Sequence, residues 1–208
     1  MKTVVYFDAF NFYFGAIKGT PFRWVDLGKL CSFLLPNNQI TAIKYFTARV
    51  RPQPHDPDQP VRQQIYWRAL RTLPILSIYE GHFLVHTVSM PLAQPPAGGP
   101  RFADVIKVEE KGSDVNLATQ LLCDAFRNNF EVAVLITGDS DLVSPLRVVK
   151  EEIGKRVGVI NPQSRPCKPL RDHATFYRQS IRSGVLAASQ FPTTMTDAGG
   201  TFHKPPTW

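Results

Sequence analysis

Three aspartates stand where an apolar segment gives way to polar residues, and a fourth opens a helical pattern. Val132–Ile136 (VAVLI) is bulky and mostly β-branched, the pattern of a strand buried on both faces, and it runs directly into Thr137-Gly138-Asp139-Ser140-Asp141. Asp139 and Asp141 therefore follow a strand's carboxyl end, the edge of an open α/β sheet where ligands bind. Asp8 follows the apolar run TVVYF in the same way, and Asp114 opens a helical pattern just before the VAVLI segment. If the first and the VAVLI strands are neighbours, all four carboxylates converge. Like charges gathered in one place raise one another's pKa and call for a counter-charge, and a hard divalent cation with oxygen ligands, Mg²⁺ or Mn²⁺, is the usual one. The five histidines are dispersed and no CxxC pair occurs, so zinc spacing is absent. Each aspartate has a plainer reading as a helix cap worth about 1 kcal/mol, and residue types alone leave both readings open. Asp8, set among Phe7, Ala9 and Phe10, is the hardest to explain by capping alone, unless it or Asn11 caps a helix through Phe12–Ile17.

The segments that must position these residues alternate in type. Strand patterns occupy Lys2–Phe7, Ala42–Val50, Leu76–Val85 with a break near Gly81, a short stretch at Val105–Glu110, Val132–Ile136 and Arg156–Ile160. Between them, helical patterns run over Asp26–Leu35 with Asp26 as N-cap, over Pro60–Leu73 with Val61, Ile65, Ala69 and Leu73 inward, and over Ser113–Arg127 with Val115, Ala118, Leu122 and Ala125 in one stripe. A further helix from about Ser144 turns Leu142, Leu146, Val149 and Ile153 inward and stops at Gly154, and Leu170–Ile181 supplies a closing helix and an edge strand. The alternation predicts an α/β fold with a mainly parallel sheet and helices on both faces.

A chain of 208 residues with 43% hydrophobic and 20% charged residues suits one domain, expected over residues 1–185. The eighteen prolines mark loops, notably a Pro/Gly-rich one near residues 88–103, and residues 186–208 lack periodicity and are expected to be a disordered tail. The net charge of +7 favours a polyanionic partner. Three cysteines without paired spacing predict free thiols in a reducing compartment, and no apolar run approaches membrane-spanning length, so a soluble cytoplasmic protein is expected. An exposed strand edge or the aromatic tail could pair two copies as a homodimer.

Asp8 and Asn11 in VVYFDAFNFYFG, the run EEKGSDVNLATQLL from Glu109 to Leu122, and LITGDSDLVSPLRVVKEEIGKRVGVI from Leu135 to Ile160 together resemble the NYN domain, a PIN-like nuclease family that includes LabA-like proteins. The likeness spans roughly Lys2 to Arg182, with Ala9 standing where that family often has glycine. It implies a PIN-like Rossmannoid three-layer α/β/α fold and metal-dependent cleavage of RNA, with Asp8, Asp114, Asp139 and Asp141 holding one or two Mg²⁺ or Mn²⁺ ions. Asn11, Thr137 and Ser140 would then orient those ligands or touch phosphate, although turn chemistry explains Thr137 and Ser140 equally well. Lys107, Lys111, Arg147, Arg165, Lys168 and Arg171 could track the RNA backbone, and Phe10, Phe12, Tyr13 and Phe14 could stack bases, against the plainer readings of a solvated surface and an aromatic core.

Two other activities and one regulatory role compete. A haloacid-dehalogenase-like phosphatase also follows its first strand with an aspartate, but needs an acid two residues later, where this chain has Phe10. A dinucleotide binder needs GxGxxG where this chain reads DAFNFY. A non-catalytic RNA-binding or regulatory module would keep the fold without turnover.

Overall fold

The computed structural model describes all 208 residues. A seven-stranded sheet in the order β4-β3-β2-β1-β5-β6-β7 forms the middle layer. Its strands are β1 (Lys2–Asp8), β2 (Gln39–Ala48), β3 (Leu76–Pro91), β4 (Phe102–Lys111), β5 (Val132–Ile136), β6 (Arg156–Asn161) and β7 (Phe176–Gln179), and all neighbours are parallel except β3 and β4. The helices are α1 (Ala9–Phe12), continued by a π-helical turn over Tyr13–Ile17, then α2 (Leu27–Leu34), α3 (Gln59–Leu70), α4 (Ser113–Phe126), α5 (Val143–Arg147), α6 (Lys168–His173) and α7 (Ser183–Ala188). No helix is long and apolar enough to cross a membrane.

Period-two alternation in the central strands divides the core in two. Val5, Phe7, Val134 and Ile136 face a cluster built with α2, α3 and α7, whereas Val4, Tyr6, Ala133 and Leu135 face a second cluster built with α4, α5 and α6. The central strands are buried on both faces, which is why they are continuous apolar runs. Successive crossovers lie on one face before β4 and on the other after it, so the strand order reverses between β1 and β5. This is the switch point at which an open α/β sheet parts its loops. Phe7 pairs with Ile136, which sets Asp8 opposite Thr137 at the carboxyl ends of the two strands.

The helix faces differ from the expected stripes in two places. In α3 the core takes Tyr66, Trp67, Ala69 and Leu70, while Val61 is exposed, because the large aromatics bury more apolar area than the valine can. In α4 the inward stripe is Leu117, Leu121 and Ala125, while Val115 is 69% exposed. Asp114 lies three and seven residues before those leucines and so shares their sheet-facing side.

The break expected at Gly81 is a change of partner instead: β3 pairs in parallel with β2 up to Gly81 and antiparallel with β4 from His82. A Cβ at Gly81 would meet Glu110 Oε1 and Lys111 O at 2.6 Å, so only glycine lets β4 close over this point. β3 and β4 form a long hairpin that narrows the Pro/Gly loop to residues 92–101.

Residues 186–208 are not a disordered tail. Strands β8 (Thr194–Asp197) and β9 (Gly200–His203) form a hairpin, Phe191 and Phe202 are buried, and Trp24 packs edge-on against both Phe191 and Trp208. Arg68 clasps the hairpin through two bonds to Asp197, at 2.7 and 2.6 Å, and lies 4.3 Å from the centre of the Phe202 ring. The apolar residues here are too widely spaced for either a helical or a strand period, and they become legible only against α3. Phe191→Ala is expected to reduce the free energy of unfolding by about 3 kcal/mol in urea titration; an unchanged midpoint would mean that the segment is not docked.

Candidate metal centre

β1 and β5 deliver two of the carboxylates and α4 the third. One carboxylate oxygen from each of Asp8, Asp114 and Asp139 lies within 4.8 Å of the others. Asp8 is buried (3% exposed), while Asp114 and Asp139 are half-buried.

Asp8 is both a helix cap and a member of this group. Its Oδ1 accepts Asn11 N at 2.9 Å, and its Oδ2 accepts Asn11 Nδ2 at 2.7 Å and the Thr137 hydroxyl at 2.9 Å. A carboxylate offers about four lone-pair sites, so three bonds leave one free on Oδ1 for a cation. Thr137, fully buried, also accepts Asp139 N at 3.0 Å and so bridges the two acids. Asp139 Oδ1 in turn accepts Asp141 N at 3.0 Å, closing the short 3₁₀ turn Ser140–Leu142. Asp114 caps nothing: Glu110 takes the capping role at the start of α4, accepting Ser113 N at 3.1 Å and Ser113 Oγ at 2.8 Å.

Asp141 does not join the three. The 3₁₀ turn directs its N–H to Asp139 and leaves the residue exposed, outside the group. A spacing of two residues would keep both acids on one side only in an extended chain, and the chain is no longer extended there. Asn11 and Thr137 both bond to Asp8, whereas Ser140 is exposed and lines an open groove.

The proposed cations divide too. Lys107 and Lys111 pair with Glu109 at 2.6 and 3.3 Å, Arg147 with Glu151 at 3.3 Å, and Arg171 with its neighbour Asp172 at 3.6 Å. Arg165 and Lys168 instead line an open groove of about 640 Å³ with Gly138, Ser140, Gln163 and Ser164. Among the aromatics, Phe12 is core, Phe14 is exposed, and Phe10 packs edge-on against Phe83 of the β3–β4 hairpin.

Three residues with no signal of their own complete the site. Glu110 adds negative charge beside Asp114; Gln163 Nε2 reaches Asn11 O and Oδ1, both at 3.1 Å; and buried Asn161 accepts Gln163 N at 2.8 Å. A Cβ at Gly138 would meet Asn161 Oδ1 at 2.6 Å, so the glycine in GDSD is what lets β5 and β6 close behind the aspartates.

Burial raises the pKa of Asp8 against the pull of its three hydrogen bonds. The Asp114 carboxyl is pushed up to about 6, first by burial, then by Asp8, Asp139 and Glu110, with the Ser113 hydroxyl opposing. All-oxygen donors, converging charge and a free lone pair on Asp8 fit a hard divalent cation, and the absence of nitrogen or sulfur donors fits Mg²⁺ or Mn²⁺ better than zinc.

A folded pKa above the unfolded value means that Asp114 favours the fold at low pH, and that this contribution is lost as pH rises through about 6. In chelator, Asp114→Asn should therefore melt higher than the parent at pH 7.5, and the gain should shrink at pH 5, where the parent carboxyl is already protonated. Calorimetric scans at the two pH values measure this, and an equal gain at both would remove the charge-repulsion account.

The family model for the NYN domain matches residues 2–180. The chain is 33% identical over 236 aligned residues to 6-hydroxy-3-succinoylpyridine 3-monooxygenase HspA from Pseudomonas putida, a match covering all of this chain and 75% of that one. A crystal structure of a Vibrio parahaemolyticus protein of unknown function shares the fold at a TM-score of 0.55 and 16% identity, over 88% of this chain and 93% of the other. With the family model matched from the first strand to the last strand of the central sheet, the chain belongs to the NYN domain family.

Proposed function

We propose that the protein is a divalent-metal-dependent ribonuclease that hydrolyses RNA phosphodiester bonds at Asp8, Asp114 and Asp139. The observation that carries this reading is the group of three carboxylates with oxygens within 4.8 Å of one another at the β1/β5 switch point. Gathering acids there costs stability, and a bound cation offsets the cost. When bound, a divalent cation supplies a lowered pKa for water and neutralises charge on the attacked phosphate. The chain's own residues hold the three acids in place: Asn11 and Thr137 fix Asp8, Thr137 ties Asp139 to it, and the Leu117–Leu121 face of α4 presents Asp114. Asp141, exposed one turn outward, belongs to the rim rather than to the ligand set.

The groove beside Ser140 is the path we assign to the RNA backbone. Arg165 and Lys168 project there without carboxylate partners, whereas the charges of Lys107, Lys111, Arg147 and Arg171 are offset by acidic neighbours. Exposed Phe14, with Lys18 over its ring, and half-buried Phe10 follow Asp8 in the chain and are the aromatics we assign to stacking bases.

A second reading comes from the Pseudomonas putida relative, whose name assigns it monooxygenation of 6-hydroxy-3-succinoylpyridine and whose 33% identity runs the whole length of this chain. The reading predicts dioxygen consumption with a hydroxypyridine and a two-electron donor, and no cleavage of RNA.

Purified protein given labelled mixed-sequence RNA should yield 5′-phosphate products with Mn²⁺ or Mg²⁺ and none with chelator, and Asp139→Asn should abolish the products while leaving the fold intact. Intact RNA retained by the protein would favour a binding module; intact RNA with dioxygen uptake on a hydroxypyridine would favour the oxygenase. For RNA bound in chelator, the double variant Arg165→Gln/Lys168→Gln should make the negative slope of log affinity against log salt shallower by about 1.4, at about 0.7 for each phosphate no longer neutralised. An unchanged slope would move the RNA path elsewhere.

A further inference from the structure

We propose that Gln163 is a positioning residue for the metal centre: acting through Asn11, it fixes the direction of the Asp8 carboxylate. The proposal rests on the metal-centre reading above and adds to it a residue from the β6–α6 connection.

Asn11 Nδ2 donates to Asp8 Oδ2 at 2.7 Å. This bond exists only while the Asn11 amide faces one way, because the opposite sense would turn its oxygen toward the carboxylate. Two donors set that sense. Gly138 N reaches Asn11 Oδ1 at 3.2 Å, and Gln163 Nε2 reaches the same oxygen at 3.1 Å and the Asn11 carbonyl at 3.1 Å. Reversal would bring the Asn11 NH₂ against both donors and break each bond. Gln163, together with the Gly138 N–H, therefore holds the Asn11 amide with its NH₂ end toward Asp8.

Gln163 lines the open groove on one side and is held on the others. A Cβ at Gly15 would lie 2.9 Å from Gln163 Cδ, and one at Gly138 would lie 2.9 Å from Gln163 Cγ, so two glycines form the walls of a slot for this side chain. Its backbone N–H donates to buried Asn161 Oδ1 at 2.8 Å, and its carbonyl accepts Gln179 Nε2. Asn161 is fixed in turn by Tyr177 OH at 2.8 Å and by the Arg165 carbonyl at 3.0 Å. The chain of contacts carries the rigidity of β6 and β7 to a carboxylate at the end of β1. Asn11, bonded directly to Asp8, is an outer partner of the kind whose removal typically alters metal affinity about 10- to 100-fold, and Gln163 acts through it.

Gln163→Met keeps the length of the side chain and removes the donor; Gln163→Glu keeps the shape and turns the donor into a charge that repels the Asn11 oxygens. Mn²⁺ titration calorimetry, melting in chelator and RNA cleavage kinetics are measured on both variants, on Asn11→Ala and on the Asn11→Ala/Gln163→Met double variant. The expected result is an about 10-fold weaker Mn²⁺ affinity or more for Gln163→Met and a larger loss for Gln163→Glu. In Gln163→Met, which adds no charge to the groove, kcat falls by a larger factor than KM for RNA changes, and this substitution has no further effect once Asn11 is alanine. Wild-type Mn²⁺ affinity in both variants, or an undiminished effect of Gln163→Met in the Asn11→Ala background, would overturn the positioning role while leaving the metal centre standing. A parent protein that takes up no Mn²⁺ would bring down both.

Discussion

Mutual repulsion among Asp8, Asp114 and Asp139 is the constraint around which the carboxyl edge of the sheet is organised. Asp8 is buried, and three hydrogen bonds from Asn11 and Thr137 offset only part of the cost to its carboxylate, whose pKa stays raised. Burial and charge raise the pKa of Asp114 to about 6, so the site holds a proton more readily than an isolated aspartate would. A group of acids arranged in this way is strained when every member is ionised, and it relaxes on gaining either a proton or a cation. Metal affinity and proton affinity are thus two readouts of one arrangement.

The backbone accommodates this constraint at glycines. Gly138 allows β5 to run close against Asn161, Gly81 allows the start of α4 to sit over β3, and Gly15 opens room for Gln163. Each removes a side chain where two elements approach closely around the acids, and each links the site to a different part of the sheet. A contrast elsewhere makes the point: the buried Lys44–Asp124 pair, at 2.6 Å with Tyr6 donating to the same carboxylate, carries its counter-charge within the chain. The three acids of the site have no lysine or arginine in an equivalent place, which is why a cation from solution is the natural complement.

Much of this was legible in the residues. β1, β5 and β6 are buried on both faces and announce themselves as apolar runs, and the convergence of Asp8 with Asp139 followed from placing two such strands side by side. The same logic failed for Asp141, since the 3₁₀ turn after Asp139 changes which residues share a side. It failed for Val61 and Val115 because amphipathic spacing on α3 and α4 admits more than one stripe, and the large neighbours Trp67 and Leu117 decide between them. Gln163 was silent because its role depends on a slot made by Gly15 and Gly138, residues far from it in sequence. The residues after Ala188 were misjudged for a similar reason: Phe191, Phe202 and Trp208 find their partners on Trp24, Tyr66 and Arg68, and no local period reports that.

The most direct measurement is the exchange of proton for metal at the acidic group. Calorimetric titration of the protein with Mn²⁺ at pH 6, in two buffers of different ionisation enthalpy, reports both the affinity and the protons released. The account predicts saturable uptake with a buffer-dependent heat, and loss of the buffer-dependent part in Asp114→Asn. Absence of uptake, or uptake whose heat is the same in both buffers and unaffected by Asp114→Asn, would contradict a metal centre built from these three carboxylates.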